Sequence, residues 1–146
     1  MTTHREIASS CHCGNIALTV HWPGPGEMIP VRECGCGFCV KHGGRHTSHP
    51  EGRVDVRIAD DTLVERYRFG TNTADFHICK TCGAEPFITS SIDGRLYAVV
   101  NANCFDGVDP SELDTSGSDF DGEAVDDRLA RRARNWIPDV RFISKA

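Results

Sequence analysis

No run of about 18 apolar residues occurs in the 146-residue chain, and its first ten residues, MTTHREIASS, lack an apolar signal-peptide core. Neither a membrane anchor nor a secretory leader is expected, and the cytoplasm is the expected compartment. No Ser-His-Asp order, phosphate-cradling glycine loop or dinucleotide fingerprint can be read either, so catalysis without a metal is hard to derive. A dense basic stripe is missing, and with it the electrostatic footprint of a nucleic-acid binder. Aromatic residues make up only 8% of the chain. Trp22, Phe76, Phe87, Tyr97 and Trp136 are therefore assigned to core and rim packing.

Cysteine, by contrast, is plentiful, with eight in the chain. Where thiols stay reduced, clustered cysteines are metal ligands or redox groups rather than bridges. Seven of them form three tight groups: Cys11 and Cys13 in SCHCG, Cys34, Cys36 and Cys39 in RECGCGFCVKHGG, and Cys79 and Cys82 in CKTCG. Ligands that must converge within about 2.3 Å of one metal are most easily supplied by tight turns. Gly14 and Gly83, each directly after a cysteine pair, let the backbone fold close to the sulfurs.

Thiolate-rich sets suit zinc first. The simplest partition gives Cys11, Cys13, Cys79 and Cys82 to a closed structural site, leaving Cys34, Cys36 and Cys39 as a three-thiolate site with one position open. Cys104 is read as a small buried hydrophobe. If it completed the triple group instead, both sites would be closed. His12, His42, His46 and His49 are taken as polar loop residues, and His77 as pointing outward from a strand.

The net charge of −5 is uneven, since 106–127 holds nine acidic residues and no Lys or Arg. The remainder carries 16 basic against 12 acidic residues, a mildly basic body that suits a small anionic substrate. The acidic segment lacks periodicity and fits no EF-hand spacing, so 106–127 is expected as a surface loop.

Alternation at period two predicts strands in NIALTV and VDVRI. LVERYRF, EPFITSSI and RLYAVVN add three more, the last two joined by an Asp93-Gly94 hairpin turn. A helix is expected over 126–137, with Leu129, Ala133 and Trp136 on one face, Asp126 or Asp127 as cap, and Arg131, Arg132 and Arg134 in solvent. The whole of 1–146 is expected to form one domain.

SCHCG before a strand, the Cys-x-Cys-x-x-Cys group, the segment ending in CKTCG, and VVNANCFDG together resemble the glutathione-dependent formaldehyde-activating enzymes and the related centromere protein V domain. The resemblance covers 8–107 as a zinc-binding core. It implies a mainly β fold, a small zinc-stapled domain of the Mss4-like, β-tent type, here with a short C-terminal helix. It also implies two zinc ions, one structural and one on Cys34, Cys36 and Cys39 as the catalytic site. The implied activity is that of a carbon–sulfur lyase, adding a thiol such as glutathione to a small aldehyde. Lys41, His42 and Arg45 are the local candidates for docking an anionic substrate thiol. The alternative is a non-catalytic, zinc-stapled protein-interaction module. No nucleic-acid or membrane partner is expected.

Overall fold

Apolar residues at every second position build the first sheet. The computed structural model describes residues 4–24, 28–118, 120 and 122–143. In β2 (Ile16–Pro23) the side chains of Ile16, Leu18, Val20 and Trp22 are buried and those between them are not. Each such burial stabilises the fold by about 1.5–3 kcal/mol. β2 pairs antiparallel with β1 (His4–Ser10), placing Ile7 opposite Val20.

Along the chain follow β3 (Ile29–Cys34), α1 (Gly37–His42), β4 (Arg45–Thr47), β5 (Arg53–Ile58), β6 (Val64–Tyr67) and β7 (Asp75–Cys79). Then come β8 (Phe87–Ile92), β9 (Arg95–Asn101), β10 (Phe105–Asp106), β11 (Leu113–Ser118), α2 (Val125–Asn135) and β12 (Asp139–Phe142). Two sheets result, one in the order β10-β1-β2-β5-β12 and one in the order β11-β3-β4-β9-β8-β7-β6. The fold is mainly β, with its main helix near the C-terminus. Among the described residues no helix is long and apolar enough to cross a membrane.

The apolar faces of the two sheets meet in one cluster that includes Val20, Val54, Val31, Phe87 and Val100. The second sheet is also covered on its other face, where Phe76, Ile88 and Val99 pack with Cys39 of α1 and Trp136 beyond α2. Consecutive residues of β8 and β9 thus serve opposite sides, Phe87 and Val100 inward, Ile88 and Val99 toward the helices. Asp93 and Gly94 both take positive φ, as a two-residue hairpin turn requires, and Ile92 pairs with Arg95 across it.

Two local expectations change. Within 106–127, expected as a loop, Leu113–Ser118 is a strand lying parallel to β3, with Ser118 opposite Cys34. Alternation could not reveal it, because most of its side chains are exposed and polar. The helix starts at Val125 with no side-chain cap, and Asp126 and Asp127 fall in its first turn. Its inward face is Arg128, Leu129, Arg132 and the following Trp136, whereas Ala133 is exposed. Arg134 is in solvent as expected, but Arg132 is buried and Arg131 half-buried.

Candidate metal centres and the adjoining cavity

Cys11 follows β1, Cys79 ends β7, and the turns after each bring in Cys13 and Cys82. The four sulfurs lie within 4.8 Å of one another, with Cys13 Sγ 3.4 Å from Cys79 Sγ and 3.7 Å from Cys11 Sγ. Gly14 (φ 86°) and Gly83 (φ 81°) occupy left-handed backbone, and their amides close the turns onto the carbonyls of Cys11 and Cys79. The Ile16 amide donates to Cys11 Sγ at 3.3 Å. Burial pushes the Cys11 thiol up to about 12. Burial also opposes ionisation of Cys82, but the amides of Ala84 and Cys13 and the neighbouring thiols outweigh it and draw Cys82 down to about 6.

The second cluster comes from one loop. Cys34 is the last residue of β3, Cys36 caps α1 by accepting the Cys39 amide, and Cys39 lies buried within α1. These three sulfurs also lie within 4.8 Å of one another. The Cys36 amide points at Cys34 Sγ at 3.5 Å, and the Gly35 amide donates to the Ser118 carbonyl at 2.7 Å, tying the loop to β11. A hydrogen bond from Cys39 and the Cys36 amide pull Cys34 down to about 5 against its burial, while the same pairing and burial drive Cys39 upward. One sulfur holds charge and its neighbour holds the proton. A divalent cation would displace that proton, so the donor chemistry of both clusters fits a thiophilic metal.

Beside the second cluster lies a cavity of 540 Å³, bordered by Cys34, Cys36 and Cys39. Its apolar wall includes Phe76, Ile88, Val99 and Trp136, and Arg32, Arg128, Arg131 and Arg132 face it with Glu123. The volume is that of a small-molecule site. The four cysteines of the first cluster border neither this cavity nor the shallower one beside α1.

His46 also borders the cavity and is buried, contrary to its expected place in a polar loop. Its Nε2 lies 2.9 Å from a carboxylate oxygen of Glu85, itself 1% exposed. A carboxylate oxygen accepts, so Nε2 is the ring nitrogen assigned as donor to Glu85. His77 corrects a second expectation: it is buried, stacked on Phe87 at 4.1 Å, with Nε2 2.8 Å from Thr89 Oγ1. Burial lowers its pKa to about 4. Glu85 carried no motif in the sequence, and only its pairing with His46 marks it.

A family model described as glutathione-dependent formaldehyde-activating enzyme matches residues 6–120. The chain belongs to that family. A crystal structure of a Rhodobacter sphaeroides protein is similar at 24% identity and a TM-score of 0.54, covering 75% of this chain and 99% of that one. That likeness bears on the fold alone. No curated protein matches.

Within this family member the structure brings together both expected cysteine sets. Lys41 and His42 lie elsewhere than the large cavity, lining the shallower one with Phe38 and Tyr67. His42 stacks on Phe38 at 5.2 Å, and its Nε2 is 3.2 Å from the Gly83 carbonyl. Arg45 is turned to Asn103 and Thr115. The cations at the large cavity come instead from β3 and α2. Cys104 joins neither cluster; burial raises its pKa to about 12, with the charges of Glu85, Cys11, Cys82 and Asp106 adding to it.

Proposed function

We propose that the protein is a zinc-dependent carbon–sulfur lyase-type enzyme that joins a thiol such as glutathione to a small aldehyde. The observation that supports this most is that Cys34, Cys36 and Cys39 form part of the cavity wall while the four-cysteine set does not. Cys34, Cys36 and Cys39 would hold a zinc, which when bound would supply a Lewis acid that keeps an incoming thiol as thiolate. Cys11, Cys13, Cys79 and Cys82 would hold a second, structural zinc.

In the addition, the substrate sulfur forms a bond to the aldehyde carbon, the carbonyl π bond breaks, and the proton lost by the thiol ends on the new hydroxyl. His46 Nδ1 is the group we assign to carry that proton, with Glu85 holding the ring in one tautomer. Phe76, Ile88, Val99 and Trp136 exclude water from the cavity wall. Arg32, beside Cys34 at the cavity, receives the negative charge of the bound thiol. Lys41, His42 and Arg45 stay as outer docking groups for the thiol's charged ends. The protein is expected to work in the cytoplasm.

The test has two arms. Thiolate–cobalt absorption of the cobalt-substituted protein should change on adding glutathione, and NMR exchange between formaldehyde and glutathione should accelerate with protein present. An unresponsive cobalt spectrum together with unchanged exchange would hand the protein to the zinc-stapled interaction-module reading.

A further inference from the structure

The large cavity holds more positive charge than its own carboxylate answers. Of the four arginines around it, Arg131 is bound to Glu123 at 3.1 Å, and Arg128 lies 3.8 Å from the same carboxylate. Arg32 and Arg132 make no ion pair among the described residues. Arg32 donates to Ser48 Oγ at 3.2 Å and lies near enough to Cys34 to feel its charge. That cation balances the cysteine cluster. Arg132 is within reach of the charge of Glu123 but makes no ion pair with it, and that carboxylate is already taken by Arg131 and Arg128.

Arg132 is 6% exposed. Its Nη1 donates to the carbonyl and hydroxyl of Thr73 and to Ser90 Oγ, all neutral acceptors. Its Nε is buried without a partner, as is Ser118 Oγ on the same cavity wall. Its Nη2 has no hydrogen-bond partner among the described residues. A buried guanidinium with no carboxylate in contact is costly, and burial, followed by the repulsion of Arg128 and Arg131, lowers the pKa of this one to about 10. Such a group is stabilised when an anion enters. Trp136, whose ring centroid lies 4.9 Å from the guanidinium carbon, continues into the apolar wall of Ile88 and Val99.

α2 begins at Val125, after the family match ends at residue 120, so Arg132 is supplied by chain outside the matched region. We propose that the cavity is a binding site for an organic acid, its carboxylate on Arg132 and a benzyl-sized apolar body against Ile88, Val99 and Trp136. Formaldehyde would use a small part of 540 Å³. Glutathione, polar along its length, would leave the apolar wall unmatched. The proposal concerns binding alone and stands on the cavity itself, whatever the outcome of the thiol-addition reading.

The probe is 3-phenylpropionate, titrated into the metal-loaded protein by calorimetry and ligand-observed NMR, with no thiol present. It should bind at least about tenfold more tightly than 3-phenylpropanamide, which lacks the charge, and than acetate, which lacks the body. Arg132→Gln should abolish that preference for the acid, and Arg132→Lys should keep part of it. Since Arg132 also ties α2 to Thr73 and Ser90, the ligand series on the unmutated protein is the primary readout. Equal binding of acid and amide, or no binding of either at millimolar concentration, overturns the proposal. So does S-methylglutathione displacing phenylpropionate at lower concentration, which would assign the carboxylate site to the peptide thiol. An unresponsive cobalt spectrum with phenylpropionate still bound would sink the thiol-addition reading and support the acid site.

Discussion

The Gly35 amide donates to the Ser118 carbonyl at 2.7 Å, so the three-cysteine loop is held by a strand drawn from the acidic segment. Replacing 113–118 by a Gly-Ser linker should therefore release metal from the Cys34, Cys36 and Cys39 set while the four-cysteine set keeps its own. Metal analysis after mild chelation checks this. Equal retention at both sites would show that the loop holds its geometry without β11.

The two cysteine sets should differ in what they do for the fold. Cys11→Ser or Cys82→Ser removes a ligand joining segments about 70 residues apart and should unfold or aggregate the protein, because the metal's binding energy is folding energy. Cys36→Ser should leave the fold largely intact and abolish thiol binding. Circular dichroism, thermal melts and cobalt absorption check the ranking.

Cys104→Ser should keep both metals and the thiol response, since Cys104 belongs to neither cluster. Loss of the metal on the three-cysteine set would return Cys104 as its fourth ligand.

The buried pair of His46 and Glu85 makes a stability prediction. His46→Phe strands a carboxylate that is 1% exposed and should destabilise the fold by about 3–5 kcal/mol. Glu85→Gln retains an acceptor and should cost less, while slowing the aldehyde exchange if Glu85 orients the ring. Denaturant unfolding of both variants, beside the exchange rate, separates the two roles. A His46→Phe protein as stable as the parent would remove the pair from the core.

Asp55 gives a pH prediction away from the cysteines. The Arg53 guanidinium holds its carboxyl at about 2, below the model-peptide value of 3.8, helped by His21. A depressed folded pKa contributes stability that is present above pH 4 and lost as pH falls toward 2. That contribution is at most about 2 kcal/mol, reduced by solvent around Arg53. The stability gap between the parent and Asp55→Asn should close between pH 4 and 2. A gap that does not change with pH would show that the ion pair is not its source.

Ligand chemistry and strand period are local properties, and the sequence alone determined them here. The spacing of Cys11 with Cys13 and of Cys79 with Cys82, with a glycine after each pair, marked two ligand pairs, because a turn places near neighbours whatever the rest of the fold does, and the fold then brings the two pairs together. Alternation in β2 and β5, and the Asp93-Gly94 turn, were legible for the same reason. Tertiary structure decided what depends on partners far apart in the chain. β11 shows no apolar alternation, and its pairing with β3 is what makes it a strand. His46 and Glu85, 39 residues apart, meet only when the second sheet closes. The arginines of α2 looked like a solvated face because charge is normally left in water. Arg128, Arg131 and Arg132 turn inward while Arg134 stays in solvent, because the helix packs over the cavity, and a sequence records a residue's cost of burial but not the space that makes the burial possible.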